Sequence, residues 1–371
     1  LERAPVLSTT MRLGFFVGCL FLGLATLCSA SSVVAPKVLV ITMFEPEREA
    51  WLSKMPLTRN ITVGGLSPLY PHVSCDHDAD VCLITTGEGE INAASTVSAL
   101  MSSIRFDLRS TYILVNGIAG VNPDVATMGS VGFARFAVQV GLQYSIDARE
   151  APKDWNYTFW NYGTSKPGQY PQVLYGTEVF EINTHLRDKV FELVKHLRLK
   201  DNASVKKQRA AYPQDKAKAP PVVFQGDITT SDMYFTGKTL YVYATNHSGH
   251  MASNLTSVLT NGTGTYALTA QEDNAVLEVL VRAHKAKSAD YGRVILFRAA
   301  SNFDRAPPHQ DDLTHFLHVS TQTELIKPAL ANLFVVGEPI VKAITGNWTQ
   351  WRDGVQQPCS PSYGDVFGTI L

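Results

Sequence analysis

Val81-Cys82-Leu83-Ile84-Thr85-Thr86-Gly87-Glu88-Gly89-Glu90-Ile91-Asn92-Ala93-Ala94 is the stretch whose reading decides the fold. Its first five residues form an apolar run, the composition of a strand buried in a sheet. That run enters Thr86-Gly87-Glu88-Gly89-Glu90, and Asn92-Ala93-Ala94 then starts a helix carrying Val97, Leu100 and Met101. Strand, glycine turn and helix N-terminus together aim backbone N–H groups at a small ligand. Phosphate loops supplement such groups with Lys or Arg, whereas Glu88 and Glu90 stand here. A carboxylate about 4 Å from a dianionic phosphate costs on the order of 1 to 4 kcal/mol per unit charge. The loop therefore suits a neutral ligand, or a centre that becomes positive.

The chain of 371 residues has room for one large or two ordinary domains. Apolar residues at 45% and charged ones at 18% exclude a disordered chain and suit a buried α/β core. A net charge of −1 offers no bulk attraction to nucleic acid or acidic membranes, so neither is expected as a partner. The densest basic stretch, residues 195–218, is interrupted by acids and reads as a solvated helix end and loop.

Met11-Arg12, an apolar run over residues 13–27 and then Cys28-Ser29-Ala30 read as a secretory signal peptide cut after Ala30. Residues 1–10 are then an upstream extension. A membrane anchor is the weaker reading, because the run is short for a bilayer span. Asn-X-Ser/Thr sequons stand at Asn60, Asn156, Asn202, Asn246, Asn254, Asn261 and Asn347. Seven behind a signal peptide point to a glycosylated protein, secreted or at the cell surface. Cys75 and Cys82 are expected to form a local disulfide, with two separate buried thiols as the alternative. Cys359 is left over in a Pro/Ser-rich tail and should be exposed. Residues 329–344 are interrupted by Glu338 and Pro339 and read as an amphipathic helix docked on the core. No membrane span is expected of the mature chain.

Residues 37–43, 81–85, 112–116 and 293–299 read as buried strands, and residues 131–143 as one or two more. Residues 184–197 and 274–286 carry helical periods, as do 323–344, with breaks conceivable at Pro328 or Pro339. Strands alternating with helices imply one α/β domain over residues 31–351, with a flexible tail at 352–371. Polar loops are expected at 153–171 and 201–221, and no internal repeat is evident.

The glycine stretch at 86–94, together with Asn116-Gly117-Ile118-Ala119-Gly120, resembles the two glycine turns of the nucleoside phosphorylase and methylthioadenosine nucleosidase superfamily. A closer resemblance is to a secreted branch of it, the fungal purine nucleoside permease family. It rests on Gly117-Ile118-Ala119-Gly120-Val121-Asn122-Pro123 and Tyr144-Ser145-Ile146-Asp147-Ala148-Arg149-Glu150. It rests further on Thr230-Ser231-Asp232-Met233-Tyr234-Phe235-Thr236-Gly237-Lys238, on Gln271-Glu272-Asp273 and on Arg298-Ala299-Ala300-Ser301-Asn302-Phe303. The resemblance implies a three-layer αβα nucleoside phosphorylase-like fold with a central twisted, partly barrel-like mixed sheet. It also implies a purine nucleoside site at the strand ends, with Thr86, Gly87 and Gly120 in its glycine loops. Glu272 then grips the ribose hydroxyls, with Gln271 where a Met is usual. Asn302 meets the purine N7 edge, Tyr234 or Phe235 stacks on the base, and Glu47 activates water. The Arg that the phosphorylase branch places for phosphate has no counterpart in residues 112–120.

Breaking a purine N-glycosidic bond builds positive charge on the sugar and negative charge on the departing base. Two charge-assisted bonds from ribose hydroxyls to Glu272 are each worth roughly 1.5 to 3 kcal/mol. Asn302 as an amide favours 6-oxopurines but supplies no proton, which leaves Asp304 as the backup acid. Glu47, if buried with a raised pKa, serves as general base on water. The acidic Glu88-Gly89-Glu90 loop fits a cationic ribosyl transition state, so hydrolysis is favoured over phosphorolysis.

Each assignment has a plain rival. Glu272 could serve a helix dipole, Asn302 cap a turn, Glu47 start a surface helix, and Tyr234 or Phe235 fill core. His247 and His250 read as exposed loop residues. His315 and His318 could share a helix face, but no third ligand accompanies them, so no metal or cofactor is assigned. Uptake binding without turnover and an inactive storage or surface protein stand as the competing functions. A chain without a membrane span cannot itself form a permeation path. The preferred base and the oligomeric state stay open.

Overall fold

The computed structural model describes residues 33–155, 157–237, 251–357 and 359–371. The expected signal peptide and upstream extension, the sequons at Asn156 and Asn246, and His247 and His250 lie outside the described residues. In chain order the first elements are β1 (Val38–Thr42), α1 (Glu45–Leu52), β2 (Arg59–Thr62), β3 (His72–Cys75), β4 (Val81–Thr85) and α2 (Glu90–Met101). β5 (Tyr112–Val121), β6 (Val131–Phe133) and β7 (Phe136–Gln139) follow, then the small pair β8 (Tyr144–Ser145) and β9 (Phe159–Trp160). The middle holds β10 (Val179–Glu181), α3 (Thr184–Val194), α4 (Ala203–Arg209), α5 (Asp215–Lys218), β11 (Val223–Gln225) and β12 (Asp227–Thr230). The chain continues with α6 (Met251–Leu259), β13 (Tyr266–Ala270), α7 (Asp273–Lys285) and β14 (Val294–Phe303). It finishes with α8 (Asp312–Thr321), α9 (Thr323–Gly346), α10 (Trp348–Trp351) and β15 (Gly364–Asp365).

Both faces of the central strands are apolar because both are covered. On β1, Leu39 and Ile41 join Val97 and Leu100 of α2 and Leu277 and Leu280 of α7 in one core. Val38 and Val40 join Trp51 of α1, Val190 of α3 and Ile340 of α9 in the other. Two helical layers thus enclose one large mixed sheet, the α/β architecture the sequence implied.

The sheet forks, and the fork makes the site. β14 runs parallel along one edge of β5 from Ile113 to Val121. The other edge pairs with β1 at Tyr112–Val115 and, antiparallel, with β13 at Gly120 and Val121. Residues 116–119 of that edge lie between the two partners. Beyond β13 the sheet continues through β12, β7 and β10 to β15, and beyond β1 through β4 and β3 to β2. Cys75 and Cys82 are paired residues of β3 and β4 and are joined by a disulfide. Cys359 is exposed.

Several expectations need correction. Gly117 to Gly120 form no turn; they continue β5, and the glycines are there for close approach rather than for bending. α9 is not broken at Pro328 or Pro339, because its apolar face packs continuously on β14, α1 and α3. Among the described residues it is the one helix long and apolar enough to cross a membrane, and half of that window is buried inside the fold. The stretch expected as a loop at 201–221 holds α4 and α5; Asn202 caps α4 by accepting from Val205 N at 2.8 Å. The end of the chain is no loose tail. Tyr363 is fully buried, β15 pairs with β10, and the Ser360 and Ser362 hydroxyls donate to buried Glu181. Of the described sequons, Asn60, Asn261 and Asn347 are exposed. Asn254 is half-buried and accepts from Tyr157 Oη at 2.8 Å.

Candidate active site at the fork of the sheet

A cavity of about 420 Å³ opens at the fork, within the range of small-molecule sites. Its walls come from the middle of β5, the β13–α7 junction, the end of β14, Glu47 of α1, and the α8–α9 corner. Glu47, Gly120, Tyr234, Phe235, Gln271, Glu272 and Asn302 all reach it, from points spread over 255 positions of sequence. Thr86, Gly87 and Asp304 do not line it.

Glu47 is buried in the third position of α1, not on a surface helix start. Its Oε1 accepts from Ile118 N and its Oε2 from Met43 N, both at 2.7 Å. Ile118 lies in the stretch of β5 that neither β1 nor β13 pairs, so the carboxylate fills a place left by the fork. Burial pushes its pKa up to about 7, against the lowering pull of the Arg298 guanidinium. A Cβ on Gly117 would stand 2.5 Å from both Glu47 Oε1 and Arg298 Nη1, so only glycine admits this packing.

Glu272 immediately precedes α7 but makes no side-chain cap bond to it. Its Oε1 instead accepts from Gly89 N at 3.1 Å, and its Oε2 pairs with Arg298 Nη2 at 3.0 Å. Burial raises its pKa, and Arg298 opposes that rise. Arg298 is itself buried, bonds Asp273 Oδ1 at 2.5 Å and donates to Ile118 O at 3.2 Å. Arg298 stands in a motif that assigns it no role by sequence alone. The available signal was a single cation inside an otherwise apolar strand, a residue type rarely buried unless paired.

The glycine loop behaves differently from its sequence reading. Its N–H groups are not left open to a ligand: Gly89 N donates to Glu272, and Glu90 N donates to Asp232 Oδ1 at 2.6 Å. Protein carboxylates occupy the positive end of α2, where anions are favoured. Thr86 is buried beneath the loop, with its Oγ1 donating to Gly87 O at 2.7 Å, and Gly87 takes a positive φ of 87°. Glu88 does reach the cavity. Glu90 accepts from Gln139, and burial raises its pKa.

In the wall of the same cavity, Asn302 follows an irregularity in the β5–β14 register. Its Oδ1 accepts from Ser301 Oγ at 2.8 Å, and its Nδ2 donates to Phe303 O at 3.1 Å. Tyr234 is 51% exposed, with its ring 5.4 Å from that of Phe316. Phe235 packs mainly with Val140, Met251, Leu255 and Tyr266 in a separate small core. Of the two aromatics, Tyr234 is the one placed to meet a planar ligand. Gln271 donates to Asp232 O at 2.9 Å. Gly120 N donates to Thr269 Oγ1 at 3.1 Å, and a Cβ there would stand 2.5 Å from that oxygen.

Asp304 lies behind the wall. It is buried, accepts from Tyr266 Oη at 2.6 Å and pairs with Arg305 at 3.0 Å, while burial pushes its pKa up to about 6. As a backup acid it is wrongly placed, and its contacts are those of an ion pair holding the strand end. His315 is buried against Tyr212, whereas His318 is exposed, so the two do not converge.

Comparison with known proteins follows the same course as the motifs. Residues 35–356 match the family model described as purine nucleoside permease. A purine nucleoside permease of Candida albicans is 42% identical over 344 residues, which cover 91% of this chain and 82% of that protein. A probable purine nucleoside permease of Schizosaccharomyces pombe is 39% identical, over 88% of this chain and 94% of its own. Among solved structures, the 5′-methylthioadenosine/S-adenosylhomocysteine nucleosidase of Neisseria meningitidis is similar at 16% identity and a TM-score of 0.48. That match covers 84% of this chain and 100% of the nucleosidase. The futalosine hydrolase of Helicobacter pylori is similar at 12% identity and a TM-score of 0.49, over 83% of this chain and 98% of its own. Matched along nearly all its described length, this chain belongs to the purine nucleoside permease family.

Proposed function

We propose that the cavity binds purine nucleosides and that the chain cleaves their N-glycosidic bond with water. The observation that carries this reading is Glu47: a buried carboxylate with a pKa of about 7, in the wall of the same cavity as Glu272 and Asn302. A group titrating there is matched to general-base work near neutral pH. Glu272, fixed by Gly89 and Arg298, keeps lone pairs for the ribose hydroxyls. Glu47 takes a proton from water, whose oxygen bonds to C1′ as the C1′–N9 bond breaks. The bond pair leaves with the base, which Asn302 and Tyr234 hold and which takes its proton from solvent.

Phosphorolysis fits the walls less well. Arg298, the guanidinium in the wall, is already shared between Glu272 and Asp273, and Glu47 and Glu88 add negative charge. Binding without turnover is the second reading, supported by the name permease carried by the relatives. Inosine titrated calorimetrically into the chain, with base release followed with and without phosphate, separates the readings. Saturable binding, weakened roughly 10-fold or more by Glu272→Gln, with release in the absence of phosphate, supports hydrolysis. Binding without release supports the carrier reading, and the absence of binding removes both.

Work outside the cell belongs to the same proposal. It is supported by the apolar run at 13–27, the Cys75–Cys82 disulfide and the exposed sequons Asn60, Asn261 and Asn347. Mass spectrometry of the protein from culture medium should find a chain beginning at Ser31 with glycan at those three sites. An intact segment 11–30 on an intracellular, unglycosylated chain would contradict it.

A further inference from the structure

β12 ends at Thr230, and Met233, Tyr234 and Phe235 in the segment that follows line the cavity. Such a segment has no ladder to hold it, so its position depends on the bonds made at its two ends. At the far end, Thr236 Oγ1 and Gly237 N both donate to Asp304 O, at 2.9 and 3.0 Å. At the near end, Ser231 N donates to Ala270 O at 3.2 Å, and Asp232 O accepts from Gln271 Nε2 at 2.9 Å. The Asp232 side chain adds a third tie there: its Oδ1 accepts from Glu90 N at 2.6 Å, across 142 positions of sequence.

The start of α2 is built to receive that carboxylate. Its N-cap is Gly89, which has no side chain to offer the first-turn amides. Asp232 supplies the missing acceptor from another element, at the positive end of the helix where an anion is favoured. A Cβ on Gly89 would stand 3.0 Å from Asp232 Oδ1, and its φ of 89° disfavours any side chain there as well. Asp232 itself is exposed and does not line the cavity, so it is no contact for a ligand. What it joins are two walls of the site: the glycine loop that carries Glu88, and the segment that carries Tyr234 two residues further on. We infer that Asp232 is a positioning residue, holding Tyr234 against the purine by anchoring its segment to the N-terminus of α2. The inference rests on the reading of the cavity as a purine nucleoside site. The two backbone bonds at Ser231 N and Asp232 O survive truncation of the side chain, so the expected effect is moderate.

The test is a double-mutant cycle on the full chain, read by calorimetric titration with inosine. Asp232→Ala should bind inosine about 5-fold more weakly than the wild type, the size of a lost helix cap. Tyr234→Ala should bind about 10-fold more weakly, the size of a lost base-stacking ring. The double variant should be no more than about 2-fold weaker than Tyr234→Ala alone, because Asp232 then has no ring to position. Asp232→Asn, which keeps the accepting oxygen, should stay within about 2-fold of the wild type. A lost cap lowers the unfolding midpoint whether or not Tyr234 is present, so all titrations are run where circular dichroism shows every variant folded. Full retention of binding in Asp232→Ala, losses that simply add in the double variant, or failure of Asp232→Asn to restore binding would overturn the inference and leave the nucleoside reading standing. A wild type that binds no inosine would overturn both.

Discussion

Glu47 concentrates the physics of the site in one carboxyl group. Its two oxygens accept from two backbone N–H groups, yet burial outweighs these bonds and carries its pKa from 4.5 to about 7. Folding therefore takes up a proton between those values. The stability contributed by the protonated form is complete below pH 4.5 and is lost as pH rises to about 7, on the order of 3 kcal/mol in all. Glu47→Gln, which keeps the shape without the titration, should flatten that part of the pH–stability curve. Urea unfolding at pH 5 and pH 8 measures it: the wild type should lose more between the two than the variant does. Equal losses would mean that Glu47 ionises in the fold as it does in water.

At the scale of elements, β5 explains both what the sequence disclosed and what it hid. The apolar runs at 81–85, 112–116 and 293–299 were legible because a strand covered on both faces needs nothing but apolar side chains. Gly117 and Gly120 look like a turn in the sequence but lie in β5, since sequence cannot distinguish a glycine that bends from one that lets a neighbour approach. The neighbours are Glu47 and Arg298 at one position and Thr269 at the other. Gly117→Ala should therefore cost about 1 to 3 kcal/mol, as an overpacked core does, and slow base release by displacing Glu47. Gly346, at the end of α9 with nothing near its absent Cβ, is the control. Gly346→Ala should be neutral or stabilise by up to about 1 kcal/mol. Thermal unfolding of the pair decides the matter, and a tolerated Gly117→Ala would refute the packing argument. Both prolines of α9 are equally ambiguous in sequence, because the partners that pack along the continuous helix lie far away in the chain.

Across the whole molecule, the site assembles from carboxylates and an arginine that no local pattern connects. Glu47, Glu272 and Arg298 come from three elements, and only family resemblance brought the first two together in advance. The bond from Gly89 to Glu272 and the placement of Asp304 behind the wall depend on the fork, which no single segment encodes. The C-terminal segment shows the same limit. Its Pro- and Ser-rich composition reads as a tail, but Tyr363 packs against Tyr291 with ring centroids 5.7 Å apart, and two serines serve Glu181. A chain ending at Gln357 should lose roughly 1.5 to 3 kcal/mol from the Tyr363 ring alone, and more because buried Glu181 loses donors. A truncated chain that melts at the wild-type temperature would contradict that packing.

The most direct test of the central claim is release of hypoxanthine from inosine in phosphate-free buffer, by the wild type and by Glu47→Gln. The account predicts turnover without phosphate in the wild type, with kcat/KM rising with pH to a plateau above about 7. In the variant that turnover should fall by roughly 100-fold or more while inosine still binds. Turnover that requires phosphate, or that survives in Glu47→Gln, would contradict it.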